Sequence, residues 1–263
     1  MAIPGKSRDM TVTESSPLPR KLEWQLTEVR DVIVETPRVK SLLLKADNWP
    51  GHLPGQRVDI RLTADDGYQA QRSYSLASPP EEELLELTVE RVTDGEVSPY
   101  LLDELRVGDR LELRGPIGGY FVWEARLGGP LQLVAGGSGI VPLMAMLLHR
   151  AASGSHVPAR LLYSSRTYED IIYREALDRL AGADTDFRIA YTLTRAQPPG
   201  WTGYGRRIDG ELLGEVTWPA EEQARAYICG PTPFVEVAAS TLLGLGYPAE
   251  RIYTERFGPT GGA

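Results

Sequence analysis

The sequence predicts two architectures in one chain: an antiparallel β-barrel or sandwich, then a doubly wound parallel α/β sheet. Three observations carry this. From Trp24 to about Trp123, short strand-like runs are separated by turn signals. After Gly128-Gly129-Pro130, short apolar runs alternate with helical stretches, the pattern of a parallel sheet with crossover helices. The composition is that of a folded globular chain, 42% hydrophobic and 24% charged in 263 residues. The division between the halves is placed near residues 125–130, giving segments 22–126 and 127–263.

Residues 1–21 are polar and lack the apolar centre of a secretory signal, so they read as a mobile tail and the chain as cytoplasmic. Strands follow at Trp24–Asp31, Val39–Lys45, Arg57–Leu62, Arg72–Leu76, Leu85–Val92 and Arg110–Arg114. Breakers such as Asn48-Trp49-Pro50-Gly51, Asp65-Asp66-Gly67 and Ser78-Pro79-Pro80 separate them. One helical stretch interrupts the series at Pro99–Glu104. In the second half, Leu131–Ala135 is an apolar run of the kind a buried parallel strand needs, and an apolar helix runs on to Ala152. Strand Arg160–Ser164, helix Tyr168–Ala181 and strand Phe187–Leu193 come next. Strand Arg225–Cys229, helix Phe234–Leu245 and strand Arg251–Glu255 close the set.

Composition excludes several functions. One cysteine rules out an internal disulfide and any four-cysteine cluster, and three scattered histidines suggest no metal site. With 28 basic and 36 acidic residues the net charge is −8, which disfavours nucleic acid as a partner. No run of about 18 apolar residues is present, so no membrane insertion is expected.

Four short segments carry chemistry. In Arg72-Ser73-Tyr74-Ser75, strand geometry puts Arg72 and Tyr74 on one face and the serines on the other. An amphipathic strand accounts for this. So does a platform for a flat, phosphate-bearing ligand, with a guanidinium fork for phosphate and a ring to stack. In Gly95-Glu96-Val97-Ser98-Pro99, Ser98 reads as an N-cap and Pro99 as the first helical residue, a helix start that can face a phosphate. Gly136-Gly137-Ser138-Gly139-Ile140-Val141-Pro142 lies between an apolar strand and an apolar helix, where glycines let backbone approach a dinucleotide. It lacks the lysine of a Walker motif, against a kinase or ATPase. Cys229-Gly230-Pro231 ends another parallel strand, where doubly wound sheets bind ligands.

The ordered set of these segments, with Gly115–Phe121 and a C-terminal Glu255-Arg256-Phe257, resembles the ferredoxin–NADP reductase family over roughly residues 24–259. The resemblance implies a six-stranded FAD-binding barrel, an NAD(P)-binding α/β domain, and hydride transfer between nicotinamide and flavin. On that resemblance Arg72, Ser73, Tyr74, Ser75, Val89, Glu90, Gly95, Val97, Ser98 and Phe257 would hold FAD. Ser75 would sit near flavin N5, and Ser75, Cys229 and Glu255 would act at the reacting atoms. Six residues follow Phe257 here, where family members often end on the aromatic that covers the flavin.

Gly137, Gly139, Pro142, Cys229, Gly230 and Pro231 would line the nicotinamide nucleotide. Ser165, Arg166, Arg195 and Arg206 offer cations and a hydroxyl for a 2′-phosphate, and Tyr173 a ring for adenine, so NADPH is expected over NADH. The electron acceptor is expected to be a separate iron–sulfur or flavin carrier or an oxygenase, and the chain a monomer. A free-flavin reductase and a non-catalytic docking subunit are the alternatives.

Overall fold

A computed structural model of the chain describes residues 22–258. The expected tail at 1–21 and the residues after Gly258 lie outside that range. Six strands form the first sheet: β1 (Trp24–Thr36), β2 (Val39–Lys45), β3 (Arg57–Thr63), β4 (Gln69–Ser75), β5 (Leu85–Glu90) and β6 (Arg110–Ile117). Their order is β4-β3-β6-β1-β2-β5, and every paired neighbour is antiparallel. The sheet curls until its edges meet: Leu76 bridges Leu87, and the Ala77 N–H donates to the Glu86 carbonyl at 2.8 Å. Alternation makes this a barrel with a filled interior. Leu85, Leu87 and Val89 on β5 all point inward, against Leu42, Leu44, Val58, Ile60 and Leu113.

The second sheet is parallel, in the order β11-β10-β7-β8-β9. Its strands are β7 (Leu131–Gly136), β8 (Ala159–Ser165), β9 (Phe187–Leu193), β10 (Arg225–Pro231) and β11 (Ile252–Phe257). Every residue of β7 is buried, as a central strand covered on both faces requires. The helices are α1 (Val97–Pro99), widened by the turn Tyr100–Glu104, then α2 (Ile140–Ala152), α3 (Arg174–Ala183), α4 (Gly210–Val216) and α5 (Thr232–Gly244). No helix among the described residues is long and apolar enough to cross a membrane.

Three local expectations need correcting. The helix expected from Tyr168 begins at Arg174, because Ile171, Ile172 and Tyr173 turn into the core and Tyr173 adopts φ +58°. Ser98 is not an N-cap. The helix starts at Val97, and the Ser98 hydroxyl accepts from the Val92 N–H at 3.0 Å. Helix α4 has no counterpart in the sequence reading.

The two sheets share a core. Val39 and Ala77 from the barrel, with Phe121 and Trp123 from the connection, pack into the cluster formed by Leu133, Ile140, Tyr163 and Tyr227. Polar bonds cross the same junction: Ser138 Oγ donates to Glu90 at 2.7 Å, and Tyr227 Oη to the Val122 carbonyl at 2.8 Å.

Candidate functional site

Strand order places the site. The chain runs from central β7 outward to β8 and β9, then returns to add β10 and β11 on the other side. The carboxyl ends of β7 and β10 are therefore the switch point at which an open sheet leaves a crevice. Gly136-Gly137-Ser138-Gly139 leaves β7 there and Cys229-Gly230-Pro231 ends β10 there, with Ala135 paired to Cys229. Two of these glycines are needed for close approach. A Cβ on Gly139 would overlap the Cys229 carbonyl, and one on Gly230 would come within 2.7 Å of the Phe234 ring. Gly137 has φ +56°, which glycine alone adopts freely.

A cavity of about 490 Å³ opens between barrel and switch point. Ser73, Ser75 and Arg57 line its barrel wall, Gly118–Phe121 its rim, and Pro142, Cys229, Glu255 and Phe257 the opposite wall. Pairing explains the company: Arg57 faces Ser75 across β3 and β4, and Cys229 faces Glu255 across β10 and β11. Burial pushes the Cys229 thiol well up, so the sulfur stays neutral. Burial also raises the Glu255 carboxyl, and Arg57 at 3.7 Å pulls it partly back. Glu255 Oε2 is buried with no hydrogen-bond partner among the described residues. The cavity thus offers the Ser75 hydroxyl on one wall and, on the other, a carboxyl able to hold a proton.

A second cavity of about 260 Å³ lies beyond Phe257, which walls both. It is lined by Gly136, Gly137, Ser138, Ser165, Arg166, Thr194 and Pro231 from the parallel sheet, and by Thr36, Arg38 and Glu90 from the barrel.

The structure divides the candidates. Ser75, Pro142, Cys229, Glu255 and Phe257 converge on the first cavity, and Gly137, Ser165, Arg166, Pro231 and Phe257 on the second. Ser73 also lines the first, its hydroxyl donating to Asp59 at 2.6 Å. Arg72 and Tyr74 occupy the other face of β4 and line neither cavity. Tyr74 packs on the barrel core, where burial raises its phenol to about 12. Arg72 stands 3.7 Å from Glu96, so it does meet the Gly95–Ser98 segment.

Several expected contacts are corrected. Val89 and Val97 bury their side chains in the barrel core, which leaves only their backbone groups for a ligand, the kind of donor expected at Val97. Glu90 faces the second cavity, not the first. Gly139 is buried against the Cys229 backbone and lines neither cavity. Tyr173 is buried with its hydroxyl bonded to Thr88 and cannot stack on adenine. Arg206 is held by Glu211 at 2.6 Å and Asp209 at 3.6 Å, and Arg195 lines neither cavity. Sequence reasoning missed Arg57, Arg38 and Asp170. The first emerges only from the β3–β4 register, the second from the β1–β2 turn meeting the other sheet. Asp170 was hidden inside an expected helix.

Comparison with known proteins fits this geometry. Residues 23–122 match the oxidoreductase FAD-binding domain and residues 133–240 the oxidoreductase NAD-binding domain. The NADH-cytochrome b5 reductase 1 of Aspergillus terreus is 30% identical, over 75% of this chain and 68% of its own length. The chain belongs to the ferredoxin–NADP reductase family. The glycine betaine monooxygenase reductase subunit of Chromohalobacter salexigens is 31% identical over 87% of this chain, and the chain spans 63% of that protein's length. The FAD/NAD-binding domain of a nitric oxide dioxygenase from Vibrio cholerae superposes with a TM-score of 0.80 at 26% identity, covering 89% of this chain and 99% of that one.

Proposed function

We propose that this chain takes hydride from NADPH onto FAD and passes electrons to a separate acceptor protein, an oxygenase component or a small iron–sulfur or flavin carrier. The observation that carries it is the pair of cavities at the switch point with Phe257 between them. The residues present fit a flavin: the larger cavity is of ligand size, and a buried carboxylate oxygen there has no protein partner. When bound, FAD exchanges electrons in pairs with a nicotinamide and singly with a one-electron carrier.

The chain's own residues do the rest. Ser75 would donate a hydrogen bond toward the reacting edge, and Arg57 and Glu255 would set the local charge. Cys229, neutral and buried, positions the ring and is no nucleophile. Arg72, 3.7 Å from Glu96, and the Gly95–Ser98 segment would hold the pyrophosphate. Phe257 shields one cavity from the other until the nicotinamide arrives. Residues 22–126 bind the flavin and 127–263 the nucleotide. The acceptor reading rests on relatives named as reductase subunits of oxygenases.

NADPH is favoured by Arg166, which lines the second cavity and has no carboxylate within 4 Å among the described residues. One observation favours NADH instead: Asp170 lines the same cavity, and a carboxylate there suits ribose hydroxyls. Anaerobic titration of the flavin-loaded protein with NADPH, then NADH, tests the whole. Bleaching of the flavin by NADPH supports the reading, and no bleaching by either nucleotide refutes it. Arg166→Ala should weaken NADPH far more than NADH. Equal losses would transfer the preference argument to Asp170.

A further inference from the structure

The second cavity is not built by the nucleotide-binding half alone. The barrel contributes the turn between β1 and β2, Thr36-Pro37-Arg38-Val39. This turn is seated firmly. Thr36 and Val39 are buried, and Val39 belongs to the core of the parallel sheet. The Thr36 hydroxyl accepts from the Arg38 N–H at 3.2 Å. The Arg38 carbonyl accepts from the Arg91 N–H at 2.9 Å, and one guanidinium nitrogen of Arg38 donates back to the Arg91 carbonyl at 3.4 Å. The backbone under Arg38 is therefore fixed, while its other guanidinium donors have no protein acceptor among the described residues.

Among the described residues, Arg38 and Arg166 are the only cations lining this cavity, one from each half of the chain. Neither has a carboxylate within 4 Å among the described residues, in contrast to Arg57, Arg61, Arg91, Arg114 and Arg150. The two lining carboxylates are engaged: Glu90 accepts from Ser138 at 2.7 Å and Asp170 from Thr167 at 3.1 Å. Two guanidiniums free of salt bridges among the described residues, lining a cavity with Gly137 and Ser165, suit a phosphoanion.

We propose that Arg38 is a phosphate-binding residue for the dinucleotide, supplied by the flavin-binding half across the domain junction. This rests on the nucleotide reading above. The phosphate is either the pyrophosphate or the 2′-phosphate, and the test separates them.

The experiment is calorimetric titration of the FAD-loaded protein with NADP⁺, NAD⁺ and adenosine, for wild type, Arg38→Ala and Arg38→Lys. FAD content and melting temperature report on folding. Arg38→Ala should weaken NADP⁺ binding about tenfold at low salt, the scale of one lost charge-assisted hydrogen bond. Arg38→Lys should recover part of it, since the charge stays and the fork is lost. Adenosine binding should not change. Equal losses for NADP⁺ and NAD⁺ assign the pyrophosphate; a loss confined to NADP⁺ assigns the 2′-phosphate. NADP⁺ affinity within twofold of wild type in Arg38→Ala overturns the proposal. If wild type binds neither dinucleotide, the parent reading falls with it.

Discussion

Glu255 is a carboxyl whose folded environment favours its proton. Burial raises it, and the Arg57 guanidinium 3.7 Å away only partly compensates. In the unfolded chain the same group ionises in the ordinary carboxylate range. Between those two values the folded state binds more protons, so stability falls as pH rises through that window and stays reduced above it. Glu255→Gln in flavin-free protein is therefore expected to raise the melting temperature at neutral pH, with the gain shrinking below the ordinary carboxylate range. A gain that ignores pH would show that burial of charge is not its source. Cys229 makes a different kind of residue-scale case. Its sulfur lines the larger cavity and the backbone beside it touches Gly139. Cys229→Ser should keep FAD bound and slow flavin reduction roughly ten- to a hundredfold, the cost of slight misplacement. An unchanged rate in stopped-flow would remove the positioning role. Gly139→Ala should cost about 1–3 kcal/mol, since the new methyl meets the Cys229 carbonyl.

At the scale of elements, what sequence showed and what it hid have the same cause. All eleven strands were legible because each carries its own alternation or apolar run between breakers, as in Leu85–Glu90 and Leu131–Gly136. The glycine turn and Cys229-Gly230-Pro231 were legible because their placement at strand ends follows from the strand–helix alternation. Helix α4 was not: it is short, and Gly210 and Gly214 break its pattern. What starts it is a cap, with Asp209 Oδ1 accepting from the Leu212 N–H at 2.8 Å. Two substitutions should then act oppositely on one helix. Asp209→Ala is expected to cost about 1 kcal/mol, and Asp209→Asn to keep most of the cap. Gly214→Ala should stabilise by about 0.5–1 kcal/mol, because its Cβ would meet nothing nearer than Leu245 at 3.9 Å. Urea midpoints at constant slope would check both, and a destabilised Gly214→Ala would contradict the packing described around α4.

Across the whole molecule the decisive contacts join residues that nothing local connects. Val39 and Ala77 look like barrel residues in sequence, and Phe121 and Trp123 like a connection, yet all four are buried with the parallel sheet. The order of strands, the seat of Arg38 and the role of Arg57 depend on such long-range pairings, so no window of sequence holds them. A shared core also has a thermodynamic consequence. If each sheet buried only its own side chains, the halves would unfold as separate units. Here Trp123 is fully buried in the cluster, its ring 6.0 Å from His149 on α2. Removing it exposes surface belonging to both halves at once. Trp123→Ala should cost about 3–5 kcal/mol, the usual range for a large aromatic. The loss should appear in barrel and parallel sheet together. Native-state hydrogen exchange on β5 and β7 reads this directly. Protection falling equally in the two strands supports a single cooperative unit. A fall confined to β7 would mean that the barrel stands alone, and that the junction carrying Phe257 and Arg38 is a contact between independent domains.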